Sequence, residues 1–158
     1  MKRIVCLVVL LSLILAVAAV SAATGNASLP KGYQKWEKSK AQVVIDKKSL
    51  FYGIHYIYVD KKGLKAYQSG GSYPEGSRFV VENFTIKEEA GKQVPGKKTM
   101  VVLMQKDQKQ TASGGWLFAG FGPDGKLSGL DPVKDCYECH LKEAKGTDLI
   151  ISKYANFK

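Results

Sequence analysis

Near the end of this 158-residue chain, the segment DPVKDCYECHLKEAKGTD gathers three of the chain's five cysteine and histidine residues. Cys136 and Cys139 stand three apart and His140 follows at once, while the rest of the chain holds only Cys6 and His55 of these two types. Cys-x-x-Cys by itself fits half a zinc site, a thioredoxin-type redox pair or a haem attachment site. Zinc asks for about four ligands, and His55 is the one further imidazole. A thioredoxin-type pair follows the first strand of a parallel fold, whereas this one lies at the far end of a series of hairpins. The immediate histidine favours the third reading, because Cys-x-x-Cys-His is the c-type haem attachment sequence. On a helical turn the two thiols can reach the two vinyl groups, and the next imidazole falls under the iron as proximal ligand. The expected cofactor is one haem c, covalently held by Cys136 and Cys139, with its iron ligated by His140.

What such an iron does depends on its sixth position. Almost nothing follows the motif, so any sixth ligand must come from upstream. Met100 and Met104 alternate with Val102 along one strand face and read as core residues. His55 alternates with Ile57 and Val59 in IHYIYVD, a face that is otherwise apolar. It is either a structural histidine of the sheet or a group over the distal side of the haem, as ligand or hydrogen-bond donor.

The elements that must position these residues follow from period and punctuation. IHYIYVD, SRFVVENFTI, KKTMVVLMQK and GGWLFAGF are rich in β-branched and aromatic residues and read as strands. DKKG, SGGSYPEGS, AGKQVPGKK, TASGG and GPDGKLSG read as the turns between them. LPKGYQKWEKSK predicts a short N-terminal helix carrying Tyr33 and Trp36 on one face, and KDCYECHLKEAK predicts a C-terminal helix. The expected class is α+β: an antiparallel β-sheet packed over a c-type haem, with an N-terminal helix and a C-terminal haem-binding helix.

Residues 1–23 read as a secretory signal peptide: MKR supplies a positive start, an apolar run follows, and VSAA offers small residues for cleavage after Ala22 or Ala23. Residues 24–158 then form a single domain, exported to the periplasm, with no membrane span left after signal removal. Loss of Lys2 and Arg3 lowers the formal net charge from +10 to +8. The lysines are scattered through turns (KKG, GKK, QKDQK), which reads as a solvated basic surface rather than a nucleic-acid patch. An acidic redox partner would suit it.

The order of LPKGYQKW, IHYIYVD, SYPEGSRFVVENF, GGWLFAGFGPDG and CYECH resembles the cytochrome P-460 family, which includes the β-sheet cytochromes c′ (cytochrome c′-beta). The resemblance covers nearly all of the chain after the signal. It implies an antiparallel sheet over a five-coordinate c-type haem, usually in a homodimer, and excludes the helical cytochromes c′. Enzymes of the family oxidise hydroxylamine, with a lysine cross-linked to the haem and a carboxylate above the iron that moves protons. In this alignment the lysine position is Val81, the carboxylate falls near Val102, and a family arginine appears as His55. Glu82 and Lys87 are near, but strand parity turns Glu82 to the opposite face from Val81. The implied distal pocket is His55, Phe79, Val81 and Val102, mostly apolar and suited to neutral diatomics such as nitric oxide and carbon monoxide. The alternatives are a haem enzyme acting on hydroxylamine, nitric oxide or peroxide, and an electron carrier with a closed sixth site.

Overall fold

The computed structural model describes residues 27–158. The expected signal peptide and its cleavage site lie outside the described residues. Six strands, β1 (Glu37–Lys38), β2 (Gln42–Val44), β3 (Gly53–Val59), β4 (Arg78–Glu89), β5 (Lys92–Lys106) and β6 (Trp116–Phe121), build one sheet. All pairings are antiparallel, in the order β1-β3-β4-β5-β6, and β2 shares the outer edge of β3 with β1. Ser39 spans the break between the two short strands. Its N–H donates to the Ile57 carbonyl at 2.8 Å, and its Oγ accepts from the Ile57 N–H at 2.9 Å. Among the described residues no helix is long and apolar enough to cross a membrane.

The sheet and the C-terminal helix match the sequence expectation, but the N-terminal helix does not form. Tyr33–Lys35 makes a single 3₁₀ turn, and Trp36 is already extended. Gly32 precedes the turn in a left-handed conformation and supplies no side-chain cap, so nothing satisfies the free N–H groups of a longer helix. Pairing of Glu37 with Val59 takes the chain into the sheet instead. A helix does form where DKKG reads as a turn: α1 spans Lys61–Ser69. Asp60 caps it by accepting from the Gly63 N–H at 2.7 Å, and Leu64 and Tyr67, three apart, face the core. The AGKQVPGKK turn is likewise shorter than expected. Only Ala90 and Gly91, both at positive φ, turn the chain, and β5 begins at Lys92.

Strand parity sorts the sheet into two faces, each with its own core. One carries three cross-strand rungs: His55, Asn83 and Met100; Ile57, Val81, Val102 and Gly120; Val59, Phe79, Met104 and Phe118. Trp116 continues this face, and Tyr67, Tyr73, Cys136, Leu149 and Ile150 cover it. The opposite face presents Tyr58, Val80, Val101, Leu103, Ala119 and Phe121 to the N-terminal segment around Tyr33.

Candidate functional site

The thiol-imidazole segment starts with a strong stop-and-start signal. Asp131 accepts from the N–H groups of Val133 and Lys134 at 2.9 and 3.1 Å, and Pro132 occupies the first turn, where a missing N–H costs nothing. Pro132–Tyr137 winds as a wide π turn, and α2 (Glu138–Ala144) continues it. Turns of this kind concentrate at functional sites. Cys136 is buried in the cluster on the first sheet face, whereas Cys139 is exposed. Burial and the nearby charges of Asp135 and Asp131 push the Cys136 thiol up to about 11, so it is protonated at neutral pH.

His140 packs its ring on Phe118 with centroids 5.1 Å apart. Its Nδ1 lies 2.6 Å from the Leu149 carbonyl oxygen. A carbonyl can only accept, so Nδ1 is the protonated nitrogen and Nε2 keeps its lone pair. Burial lowers the imidazole pKa, outweighing the opposite pull of that carbonyl, and holds the ring neutral. A neutral imidazole with Nδ1 tied to a backbone carbonyl is in the form in which histidine can ligate a metal through Nε2, with the carbonyl fixing the ring. Two thiols with this imidazole fit the donor set of a covalently attached haem. Among the described residues no three His, Cys, Asp or Glu side chains gather as an ordinary metal-ion site.

The structure brings the other named residues onto the same sheet face as Phe118. Val81 and Val102 are cross-strand partners, and Ile57 extends their rung. Val102 is buried and Val81 half-buried. Phe79 lies one rung on, fully buried, with Tyr73, Tyr67 and Trp116 rings 5.4, 5.6 and 6.3 Å away. Its packing is that of a core ring. His55 sits one rung the other way, edge-on to Phe51 at 5.7 Å. Rungs are about 6.8 Å apart along a strand. His55 Nδ1 is buried and finds no hydrogen-bond partner among the described residues, and burial lowers the imidazole pKa, so this ring is also neutral.

Glu82 and Lys87 are elsewhere. Glu82 points to the opposite face, where it accepts from Tyr33 Oη at 2.7 Å, Tyr58 Oη at 2.9 Å and Lys98 Nζ. Lys87 is exposed near the β4–β5 turn and pairs with Glu89. Glu82 thus faces away from His140, and Lys87 lies beyond the His55–Asn83 rung, toward the hairpin end.

Three residues of this region escape sequence reasoning. Asn83, the cross-strand partner of His55, is 2 % exposed, yet its Oδ1 finds no hydrogen-bond partner among the described residues. It lies at a β-bulge, since Asn83 pairs with Met100 but Phe84 with Lys98, leaving Thr99 extra. Only its parity on β4 hints at it. Asp148 and Leu149 are consecutive non-glycine residues at φ +49° and +67°, a rare backbone state that composition does not announce.

The Cytochrome P460 family profile matches residues 30–152 of the chain. No curated protein matches it.

Proposed function

Because the chain belongs to the cytochrome P460 family and is thus a haem-binding cytochrome, we propose that it is a periplasmic mono-haem c-type cytochrome that binds small diatomic gases such as nitric oxide and carbon monoxide. In this reading Cys136 and Cys139 tether the haem, and His140 ligates its iron through Nε2. A bound haem would supply an iron able to take up a small ligand. The chain's own part is to orient the imidazole through the Leu149 carbonyl and to cover the distal side with Ile57, Val81 and Val102, which exclude water and offer no charged donor. The observation that carries the reading is that apolar rung, adjacent to the rung where Phe118 meets His140. Without charged donors, neutral diatomics are favoured over anionic oxygen adducts. The signal-like N-terminus supports export, and the net positive charge suits an acidic redox partner. A homodimer belongs to the same proposal.

Acid-acetone extraction and a carbon monoxide titration of the reduced protein test it together. Haem should stay with the chain, and the ferrous form should be high-spin and bind carbon monoxide. Quantitative release of haem, or a low-spin ferrous form that ignores the gas, overturns the reading. The enzyme reading finds little support, since the buried Glu82 is engaged on the far face and the Asp148 carboxylate, beside Leu149, is tied up by Tyr73, Lys106 and Trp116. An electron-carrier reading has one specific observation in its favour, the unpartnered His55 Nδ1, which could serve a sixth ligand's role or a hydrogen bond. The spectrum separates the two.

A further inference from the structure

The carbonyl that accepts from His140 belongs to an unusual corner. Asp148 (φ +49°) and Leu149 (φ +67°) both occupy the left-handed region that normally falls to glycine. Two successive residues with side chains hold this shape only when the surroundings enforce it. Thr147 braces the corner from within, its Oγ1 donating to the Ala144 and Ile150 carbonyls at 3.1 and 2.8 Å, and the Asp148 carboxylate ties it to the sheet. Its Oδ2 accepts from the Tyr73 N–H at 2.9 Å, and its Oδ1 accepts from Lys106 Nζ at 2.6 Å and Trp116 Nε1 at 3.3 Å. The Tyr73 segment, the end of β5 and the start of β6 thus converge on one side chain. Lys106 and Asp148 are 11 % and 19 % exposed, so water screens the pair weakly. The next residue turns its N–H to the Ala144 carbonyl at 2.9 Å and its own carbonyl to His140 Nδ1 at 2.6 Å. Sheet, carboxylate, corner, carbonyl and imidazole form one unbroken chain of contacts.

We propose that Asp148 is a positioning residue for His140: by pinning the Asp148–Leu149 corner to the sheet, it fixes the carbonyl that holds Nδ1–H and so sets the donor strength of Nε2. The inference rests on the reading of His140 as the iron's proximal ligand. A firm hydrogen bond at Nδ1 gives the ring anionic character, which strengthens the bond from Nε2 to iron and favours the ferric state. A loosened corner does the reverse. Asp148 touches neither the iron nor a ligand and acts only through the carbonyl and the ring.

The test compares the haem-loaded wild type with Asp148→Asn and Asp148→Gly, by resonance Raman of the ferrous iron–imidazole stretch, midpoint potential and thermal unfolding. Asp148→Asn keeps the shape but weakens the Lys106 contact. Asp148→Gly accepts the left-handed φ without strain but removes every side-chain bond. The stretching frequency should fall and the potential should rise in both, more for glycine than for asparagine, whatever happens to the melting temperature. A wild-type stretch and potential in both variants, even with lowered melting temperatures, would overturn the proposal and leave Asp148 a structural anchor. Release of haem from the wild-type chain by acid-acetone would instead sink the haem-attachment reading beneath it.

Discussion

The two faces of the sheet handle their buried polar groups in opposite ways. On the face away from His140, Glu82 is 5 % exposed and accepts from two tyrosine hydroxyls and a lysine. Burial alone would raise its pKa, but Lys98 and the two tyrosines more than reverse that, and the carboxyl is held below its usual range. Both hydroxyls are in turn pushed well above the ordinary tyrosine value, first by burial and then by Glu82. On the His140 face, His55 Nδ1 and Asn83 Oδ1 are buried without partners among the described residues, and the Asp148–Leu149 corner carries two left-handed backbones. Natural interiors tolerate few such groups, and a left-handed residue such as Leu149 costs about 1–2 kcal/mol. One face is closed and satisfied, as a scaffold needs. The other retains unsatisfied and strained groups beside the residues proposed to hold the haem, and such costs usually collect at functional sites.

Breaking the scaffold face should give the largest effect. Glu82→Ala strands two buried tyrosine hydroxyls and removes the partner of Lys98, which can turn partly to water because its side chain is 32 % exposed. A loss of about 3 kcal/mol is expected from the stranded hydroxyls. In a domain of this size that is a fall of roughly 10 °C in melting temperature. Haem content and the gas-bound spectrum should not change, since Glu82 faces away from His140. A changed spectrum at unchanged stability would erase the distinction between the faces.

The milder Glu82→Gln sharpens the same point through pH. A carboxyl whose folded pKa is depressed stabilises the fold above its unfolded pKa, and that contribution is lost as pH falls through the folded value. Wild-type stability should therefore decline on acidification below the ordinary carboxylate range, about 4.3 for glutamate. Glu82→Gln should start about 2 kcal/mol less stable at neutral pH and show a shallower acid limb. Denaturant unfolding at a series of pH values measures both. Equal acid limbs in the two proteins would mean that Glu82 is not the group responsible.

How much of this contrast is legible in the sequence depends on period. Strand alternation places Ile57, Val81 and Val102 on one face and Glu82 on the other, because a period of two leaves no choice once the strands are recognised. The thiols and His140 announce themselves by spacing. The N-terminal helix misleads, because Tyr33 and Trp36 suggest an amphipathic turn, yet Gly32 supplies no cap and edge pairing to β3 wins. The α1 helix hides because Asp60 and Gly63 look like a turn, although they are the N-cap and its donor. Asn83 and the Asp148–Leu149 corner stay invisible for a different reason. Their character comes from a bulge and from contacts between residues distant in sequence, such as Tyr73 and Asp148.

The smallest effect is expected at His55, and it bears most directly on the exposed side of the contrast. Its ring is neutral because burial disfavours the charged form. A histidine with a depressed folded pKa leaves the unfolded chain binding the extra proton, so stability falls as pH drops below the ordinary imidazole value of about 6.5. His55→Phe removes that limb and replaces an orphaned polar atom with an apolar edge beside Phe51. The variant should gain about 1 kcal/mol at neutral pH and lose less stability between neutrality and the carboxylate range. Carbon monoxide should still bind, because that ligand needs little hydrogen bonding, and any pH dependence of the ferric spectrum near neutrality should vanish. If stability falls instead, with the spectrum and its titration untouched, His55 has a partner such as an ordered water and is a structural residue of the sheet. The Asn83 amide oxygen and the strained corner at Asp148 and Leu149 would then be the unsettled groups left on the His140 face.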